Sequence, residues 1–341
     1  MRNILKIVVV ILGAFIGAGF ASGKEIYTFF YSFGYKGIIG IVVSCILLTI
    51  VVYKTLLIVN KNNIYNYKEF LGHLIQKNID SKYYIGNIIN NVVNILILIS
   101  FFIMVAGFGA YFEQEYNINS IIGSIVLAIF SYFILKKDTN GLVKVNEILV
   151  PIIIIVIVLI GIVYIVPNKE INVETQKVKE YDFLVNSILY CSYNCIMLIP
   201  ILTTVKNYTK NRKDIMCISV ISGIIIVLLL LVMFFILNSN SINLASVEMP
   251  VAYILKNNVI LKNLYGVIVL ISIFTTAISL GSSFIKNVSK NQKSYSHIAK
   301  IMCITSIAMS QIGFSNLVNL LYPIFGYMGI LQIIKLFKIK L

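Results

Sequence analysis

Charged residues are scarce in this chain of 341 residues: 12% are Asp, Glu, Lys or Arg, and 59% are hydrophobic. A soluble protein could not bury that much apolar surface. Apolar runs of about twenty residues recur throughout, which is the length needed to cross a bilayer as a helix. The composition therefore predicts an all-α integral membrane protein.

Histidine and cysteine are also few, with two His and five Cys. His73 and His297 lie in polar segments and the cysteines lie within apolar runs, so no set has the spacing of a structural zinc site. No pairing of nucleophile and base and no nucleotide-binding loop is present either. These absences argue against an enzyme and against a bound cofactor other than a simple cation.

No acidic residue lies at the middle of an apolar run. Proton relays in membranes normally need an intramembrane Asp, Glu or His. The sequence therefore favours a coupling ion other than the proton, with Glu147 or Lys144, near the end of one run, as the groups that could reach inward in a proton-coupled alternative.

Ten apolar segments are long enough to be membrane spans. They cover residues 4–33, 35–59, 84–112, 117–135, 144–166, 183–205, 213–238, 262–289, 297–313 and 316–337. The net charge of +15 is concentrated in alternate loops, as the positive-inside rule requires. This pattern predicts a protein of the cell membrane with both termini cytoplasmic. Its expected partners are the lipid bilayer and a small-molecule solute, not nucleic acid.

The spans divide into two sets of five. Residues 1–166 form the first predicted repeat, residues 167–182 a polar extracellular connecting loop, and residues 183–341 the second repeat. Because five is odd, the two sets insert in opposite orientations, which is the inverted-repeat plan of secondary transporters. Sequence identity between the halves is weak, so this prediction depends on their layout.

The first span contains a glycine-rich stretch from Gly13 to Glu25, which reads GAFIGAGFASGKE. Each glycine costs a helix about 1 kcal/mol relative to alanine, and unwound backbone at membrane depth needs protein or a watery cavity beside it. We predict that the first helix is discontinuous here. The alternative is helix packing, because Gly13-x-x-x-Gly17 and Gly19-x-x-x-Gly23 are small-xxx-small patterns.

A solute-binding site is expected at this break, since broken helices form the sites of many transporters. The free N–H groups of the second half-helix could hold a substrate carboxylate. The predicted contacts from the first span are Ile16, Gly17, Ala18, Gly19 and Ser22.

The sixth span has a polar patch from Asn186 to Cys195, ahead of Pro200. This patch predicts a second discontinuous helix, with Tyr190, Ser192 and Asn194 contacting the solute. The alternative is that these side chains bond to neighbouring helices.

The motif from Gly13 to Glu25 resembles the opening motif of the bacterial YkvI family of membrane proteins. That family is placed with the amino acid–polyamine–cation superfamily. The resemblance implies the five-plus-five inverted-repeat fold of LeuT, and it implies the fold more firmly than the substrate.

The resemblance also implies a sodium site. In LeuT-like sodium symporters the eighth span gives a carbonyl and two hydroxyls to an ion shared with carbonyls of the broken first helix. The corresponding residues in this sequence are Gly13, Ile16, Ser272, Thr275 and Thr276. Such an all-oxygen set without a carboxylate suits a monovalent hard cation. Alternatively, the hydroxyls bond to the preceding helical turn.

Three charged residues, Lys24, Glu25 and Glu113, are placed toward the outside, where they could form a gate or mark the water interface. The predicted function is sodium-coupled secondary transport of a small amino-acid-like solute by alternating access. The alternative is a nutrient receptor of the spore-germination type, which has the same superfamily fold and need not pump the amino acid that it senses.

Overall fold

The structure is a computed structural model that describes residues 2–74, 80–136, 139–165, 182–209, 211–238, 244, 247–289 and 292–339. These ranges form α-helices joined by short turns and contain no β-strand. The predicted connecting loop, residues 167–182, lies outside the described residues except for Asp182.

Eight helices come from the first half of the chain. They are α1 (Arg2–Phe15), α2 (Ala18–Ser22), α3 (Lys24–Phe29), α4 (Tyr35–Lys61), α5 (Tyr67–Leu74), α6 (Asp80–Tyr116), α7 (Ser120–Leu135) and α8 (Thr139–Ile165). Six described helices come from the second half. They are α9 (Asp182–Thr204), α10 (Arg212–Asn238), α11 (Pro250–Ile254), α12 (Val259–Val288), α13 (Gln292–Met309) and α14 (Phe314–Lys338).

Every predicted span coincides with one helix, apart from the first, which coincides with the series α1 to α3. Six helices among the described residues are long and apolar enough to cross a membrane: α4, α9, α10, α12 and the greater parts of α6 and α8. Helices α1 and α7 are apolar but shorter. The chain is therefore an all-helical membrane protein.

The outward faces of these helices are apolar. Ile46, Phe130, Ile148 and Ile224 are each more than half exposed, on four different helices. Between α4 and α10, apolar side chains line an open groove of about 650 Å³. Exposed apolar surface on this scale is rare in soluble monomers and is the surface that lipid tails cover.

Helix α9 is continuous across the polar patch, so the predicted discontinuity of the sixth span is wrong. The polar side chains bond to carbonyls one turn earlier in the same helix: Asn186 Nδ2 donates to Asp182 O and Asn194 Nδ2 donates to Tyr190 O, each at 2.9 Å. The patch has no glycine, and its polar groups are satisfied without any unwinding.

Helices α1, α9 and α12 form the centre of the bundle. Helix α1 packs against α8, α10 and α12, while α9 packs against α4 and α14, and α12 packs against α6 and α8. Helices α2 and α12 are also in contact. The glycine-rich stretch between α1 and α3 is therefore surrounded by protein.

Topology can be tested at two exposed positions at opposite ends of the bundle. Glu113 lies near the end of α6, and Asn62 follows the end of α4. With both termini inside, a membrane-impermeant maleimide should modify Glu113→Cys in intact cells and Asn62→Cys only after permeabilisation. Both variants carry Cys217→Ser, because Cys217 is an exposed native cysteine. Labelling of Asn62→Cys in intact cells would overturn the predicted orientation.

Candidate functional site

The first helix is interrupted between α1 and α2. Helix α1 ends at Phe15, Gly17 is extended with φ −91° and ψ −169°, and α2 begins at Ala18. The chain turns again at Gly23, whose φ of 84° lies in the left-handed region that favours glycine. At the start of α2, the Ala18 N–H meets Met104 Sδ at 3.4 Å, a weak acceptor.

One hydroxyl of α12 lies at this interruption. Thr276 Oγ1 is 2.7 Å from Gly13 O and 2.9 Å from Ile16 O. Both carbonyls are at the end of α1, where helical partners are missing. Three of the oxygens predicted to bind sodium therefore converge on one point.

The side chains of the other two α12 residues in the predicted set bond within their own helix. Thr275 Oγ1 donates to Ser272 O at 3.0 Å, and Ser272 Oγ donates to Ile268 O at 2.7 Å. For these two side chains the structure shows the hydrogen bonds to the preceding turn that the sequence left open as an alternative. Only Thr276 reaches across to α1.

Asn146 of α8 is a neighbour of this cluster that the sequence reasoning missed. Its amide is fully buried, and its Nδ2 is 3.5 Å from Ser279 Oγ of α12. A Cβ atom on Gly13 would overlap Asn146 Oδ1, so Gly13 is needed for this close approach. The only sign of this residue in the sequence was that Asn146 is a lone amide side chain next to Glu147 in the fifth predicted span.

Glu25 lies inside the protein, although the sequence placed it at the outer water interface. It is 1% exposed, and its carboxylate lies against Gly19 in α2. Its Oε1 accepts hydrogen bonds from Tyr193 Oη at 2.6 Å and from Tyr322 Oη at 2.9 Å. The turn at Gly23 makes this possible, because it lets the start of α3 fold back toward α2.

The three residues predicted as a gate do not come together. Lys24 Nζ donates to Val247 O at 2.9 Å, away from the Glu25 carboxylate. Glu113 is exposed near the end of α6. The charges at the outer end of the bundle therefore do not form the predicted gate cluster.

Aromatic rings surround the Glu25 carboxylate. Tyr193 and Tyr322 stack with ring centroids 4.5 Å apart, and Phe29 lies parallel to Tyr193 at 6.2 Å. Tyr190 packs edge-on against Phe29 at 5.2 Å, and its hydroxyl has no hydrogen-bond partner among the described residues. We call Phe29, Tyr190, Tyr193 and Tyr322 the aromatic cluster.

Of the other predicted solute contacts, Ser22 has a local structural role. Its Oγ donates to Gly19 O at 3.1 Å and accepts from the Lys24 N–H at 3.2 Å, which holds the turn at Gly23. Ser192 is fully buried on α9. The structure thus brings Gly19 against the Glu25 carboxylate, and it assigns Ser22 and Asn194 to hydrogen bonds within their own segments.

A polar network joins four helices at the end of the bundle that the sequence assigns to the cytoplasm. Asn287 of α12 accepts from the Tyr67 N–H and donates to Asn94 Oδ1, both at 3.2 Å. Gln332 of α14 donates to the Tyr67 hydroxyl at 3.0 Å. These contacts tie α5, α6, α12 and α14 together at this end.

Comparison with known proteins places the chain among membrane proteins. No family model matches it. It is 28% identical over 326 residues to the uncharacterized membrane protein YkvI of Bacillus subtilis (strain 168), an alignment that covers 94% of this chain and 91% of YkvI. The chain is similar to YkvI along nearly its whole length. The resemblance predicted from its opening motif is thereby confirmed.

Two solved structures share the fold of this chain. A Na⁺-coupled sialic acid symporter matches with a TM-score of 0.70 and 12% identity, covering 98% of this chain and 79% of the symporter. MhsT, solved in complex with L-phenylalanine, matches with a TM-score of 0.70 and 12% identity, covering 96% of this chain and 87% of MhsT. The all-helical, LeuT-like fold implied by the opening motif is therefore shared with these solved structures, while the count of ten spans and the inverted repeat stay predictions.

Proposed function

We propose that this protein is a secondary transporter of a small amino-acid-like solute. The observation that carries this proposal is the meeting of Thr276 with the Gly13 and Ile16 carbonyls at an interrupted helix in the centre of the bundle. Broken helices with exposed carbonyls at the membrane midplane are how transporters of this architecture hold ions and solutes.

The proposed architecture has ten spans in two inverted repeats, residues 1–166 and 183–341, with both termini cytoplasmic. The order of helices supports it, because the short helices α5 and α11 each lie between the second and third long segments of a half. The hydrogen bonds around Asn287 support alternating access, because they join elements of both repeats and would break if the repeats rocked apart at this end.

Sodium is the proposed coupling ion. Sodium would bind where Thr276 Oγ1 contacts Gly13 O and Ile16 O, with Ser272 O as a further oxygen. Thr275 Oγ1, the other predicted ligand, donates within α12 and would contribute little. The sialic acid symporter that shares the fold is Na⁺-coupled, which supports this choice. The proposed solute site lies beside the same interruption, along Ile16 to Gly19 and facing Tyr190 of α9.

Uptake into proteoliposomes tests the proposal directly. The purified protein is reconstituted and supplied with an equimolar mixture of radiolabelled amino acids, with an inward sodium gradient or with potassium in place of sodium. We expect accumulation that requires the sodium gradient and collapses when an ionophore dissipates it. Binding of amino acids without any accumulation would instead favour the receptor alternative.

A further inference from the structure

The Glu25 carboxylate is buried, and no residue in the described part of the chain gives it a positive partner. The described structure contains no Lys, Arg or His nitrogen within ion-pair distance of it, and Lys24 is directed to Val247 O. Oε1 is satisfied by two tyrosine hydroxyls, but Oε2 has no hydrogen-bond partner among the described residues. A buried carboxylate is costly unless a proton or a cation neutralises it.

We propose that Glu25 and the aromatic cluster bind the ammonium group of the solute, so that this site selects organic amines and amino acids by their positive charge. The inference rests on the proposed function, because it identifies the solute of the same central site. An ammonium group has several N–H donors. Glu25 Oε2 and the Tyr190 hydroxyl are both buried and make no hydrogen bond to a described residue, and the Tyr190 ring lies 6.1 Å from the ring of Tyr193, which bonds the same carboxylate.

The rings favour an organic ammonium group over a bare metal ion. Cations within about 6 Å of a ring centroid are attracted to the face of Tyr or Phe, more strongly when water is excluded. Phe29, Tyr193 and Tyr322 are buried and stack on one another beside the carboxylate. A metal ion would instead need several oxygens, and among the described residues no group of three or more acidic, His or Cys side chains is placed to hold one.

The position of Glu25 also changes the expected role of α2. The sequence predicted that a substrate carboxylate would bind at the start of this helix. The carboxylate of Glu25 already lies there, against Gly19. A second carboxylate at that place would meet like charge in a medium of low dielectric constant, so the solute should present its ammonium group to this part of the site.

Two sets of probes, each with one carbon skeleton, test the proposal. The first set is L-leucine, isoamylamine, which lacks the carboxylate, and isocaproate, which lacks the ammonium group. The second set is L-phenylalanine, phenethylamine and hydrocinnamate. Binding is measured as thermal stabilisation of the purified protein over a concentration series. The amino acids and amines should stabilise the wild-type protein, and the two carboxylates should not.

Glu25→Gln and Glu113→Gln are matched variants, because each removes one negative charge. Glu25→Gln removes it inside the site, and Glu113→Gln removes it at the exposed end of α6. Glu25→Gln should weaken amine binding by about tenfold or more, the scale of a lost charged contact, while Glu113→Gln should match the wild type. The unliganded melting temperature and its response to sodium show whether Glu25→Gln is folded. The preference of the wild-type protein for amines over carboxylates tests the proposal even if Glu25→Gln does not fold.

Three results would overturn the proposal: stabilisation by the carboxylates rather than the amines, equal amine affinity in Glu25→Gln and the wild type, or no stabilisation by any amine. Because these measurements concern binding alone, they stand whether or not the protein accumulates solute. Sodium-driven uptake that persists in Glu25→Gln with unchanged amine affinity would reject the role of Glu25 and keep the transporter proposal.

Discussion

Gly19→Ala is expected to weaken amine binding far more than Gly17→Ala. A Cβ atom on Gly19 would overlap both Glu25 Oε1 and the Tyr322 hydroxyl, which are buried and hydrogen-bonded to each other. The nearest neighbours of a Cβ on Gly17 would be Thr276 Cγ2 at 3.3 Å and Met104 Sδ and Cε at 3.4 and 3.5 Å, and small shifts relieve such contacts.

The expected size follows from the cost of overpacking a buried cluster, about 1–3 kcal/mol. The unliganded protein relieves the overlap by displacing the Glu25 carboxylate and the Tyr322 hydroxyl. Restoring them when the amine binds should cost a similar amount, which is a loss of about 5-fold to 150-fold in affinity. Alanine also favours the helical conformation of α2 by about 1 kcal/mol relative to glycine. The free energy of unfolding of the unliganded protein should therefore fall by less than the free energy of amine binding. Affinity for phenethylamine and the unliganded melting temperature are the two measurements.

A double-mutant cycle shows whether the overlap with Glu25 is the cause. In the Glu25→Ala background, Gly19→Ala should destabilise the unliganded protein less than it does in the wild type, because the Cβ then occupies space that Glu25 has left. Additive effects would mean that Gly19 acts through something other than this carboxylate, such as helix packing alone.

Hydrophobic segments and glycine content were enough to predict most of the fold. The ten predicted spans coincide with helices because each is a long apolar run bounded by polar loops, and that signal is local. The interruption at Gly17 was predictable for the same reason. The wrong prediction, a break in α9, came from a polar patch whose side chains turned out to bond one turn back along their own helix.

The chemistry of the site could not be read from local sequence. Glu25 follows the break by only a few residues, and linear position placed it at the water interface. Its burial depends on the left-handed turn at Gly23 and on hydroxyls from α9 and α14, which are distant in the chain. Tyr322 in particular carries no sequence signal, since a tyrosine in an apolar helix is common. Long-range packing thus determines where a charge near a helix break lies.

Thr276→Val should raise the sodium concentration needed for stabilisation, and Thr275→Val should raise it much less. Valine has nearly the shape of threonine, so either change removes a hydroxyl without opening a cavity. Thr276 Oγ1 contacts both Gly13 O and Ile16 O, whereas the Thr275 hydroxyl donates within its own helix to Ser272 O. The two adjacent residues therefore form a matched pair for testing which hydroxyl meets the ion.

The effect of Thr276→Val has two parts. Without sodium, the Gly13 and Ile16 carbonyls lose a buried donor, which should cost about 1–3 kcal/mol of stability. With sodium, the ion loses one oxygen ligand, and the half-maximal sodium concentration should rise by about tenfold, equivalent to about 1.4 kcal/mol. For Thr275→Val we expect a rise within about twofold, well under 1 kcal/mol.

The measurement is the melting temperature across a sodium series, with potassium holding ionic strength constant, repeated with and without phenethylamine. Since coupled sites affect each other by the same factor, sodium should tighten amine binding as much as the amine tightens sodium binding. Thr276→Val should weaken the response to sodium while the preference for amines over carboxylates survives, because Glu25 is unchanged. A wild-type protein whose melting temperature and amine affinity ignore sodium would rule out the sodium site and leave proton coupling, facilitated diffusion or nutrient sensing as the better account of this fold.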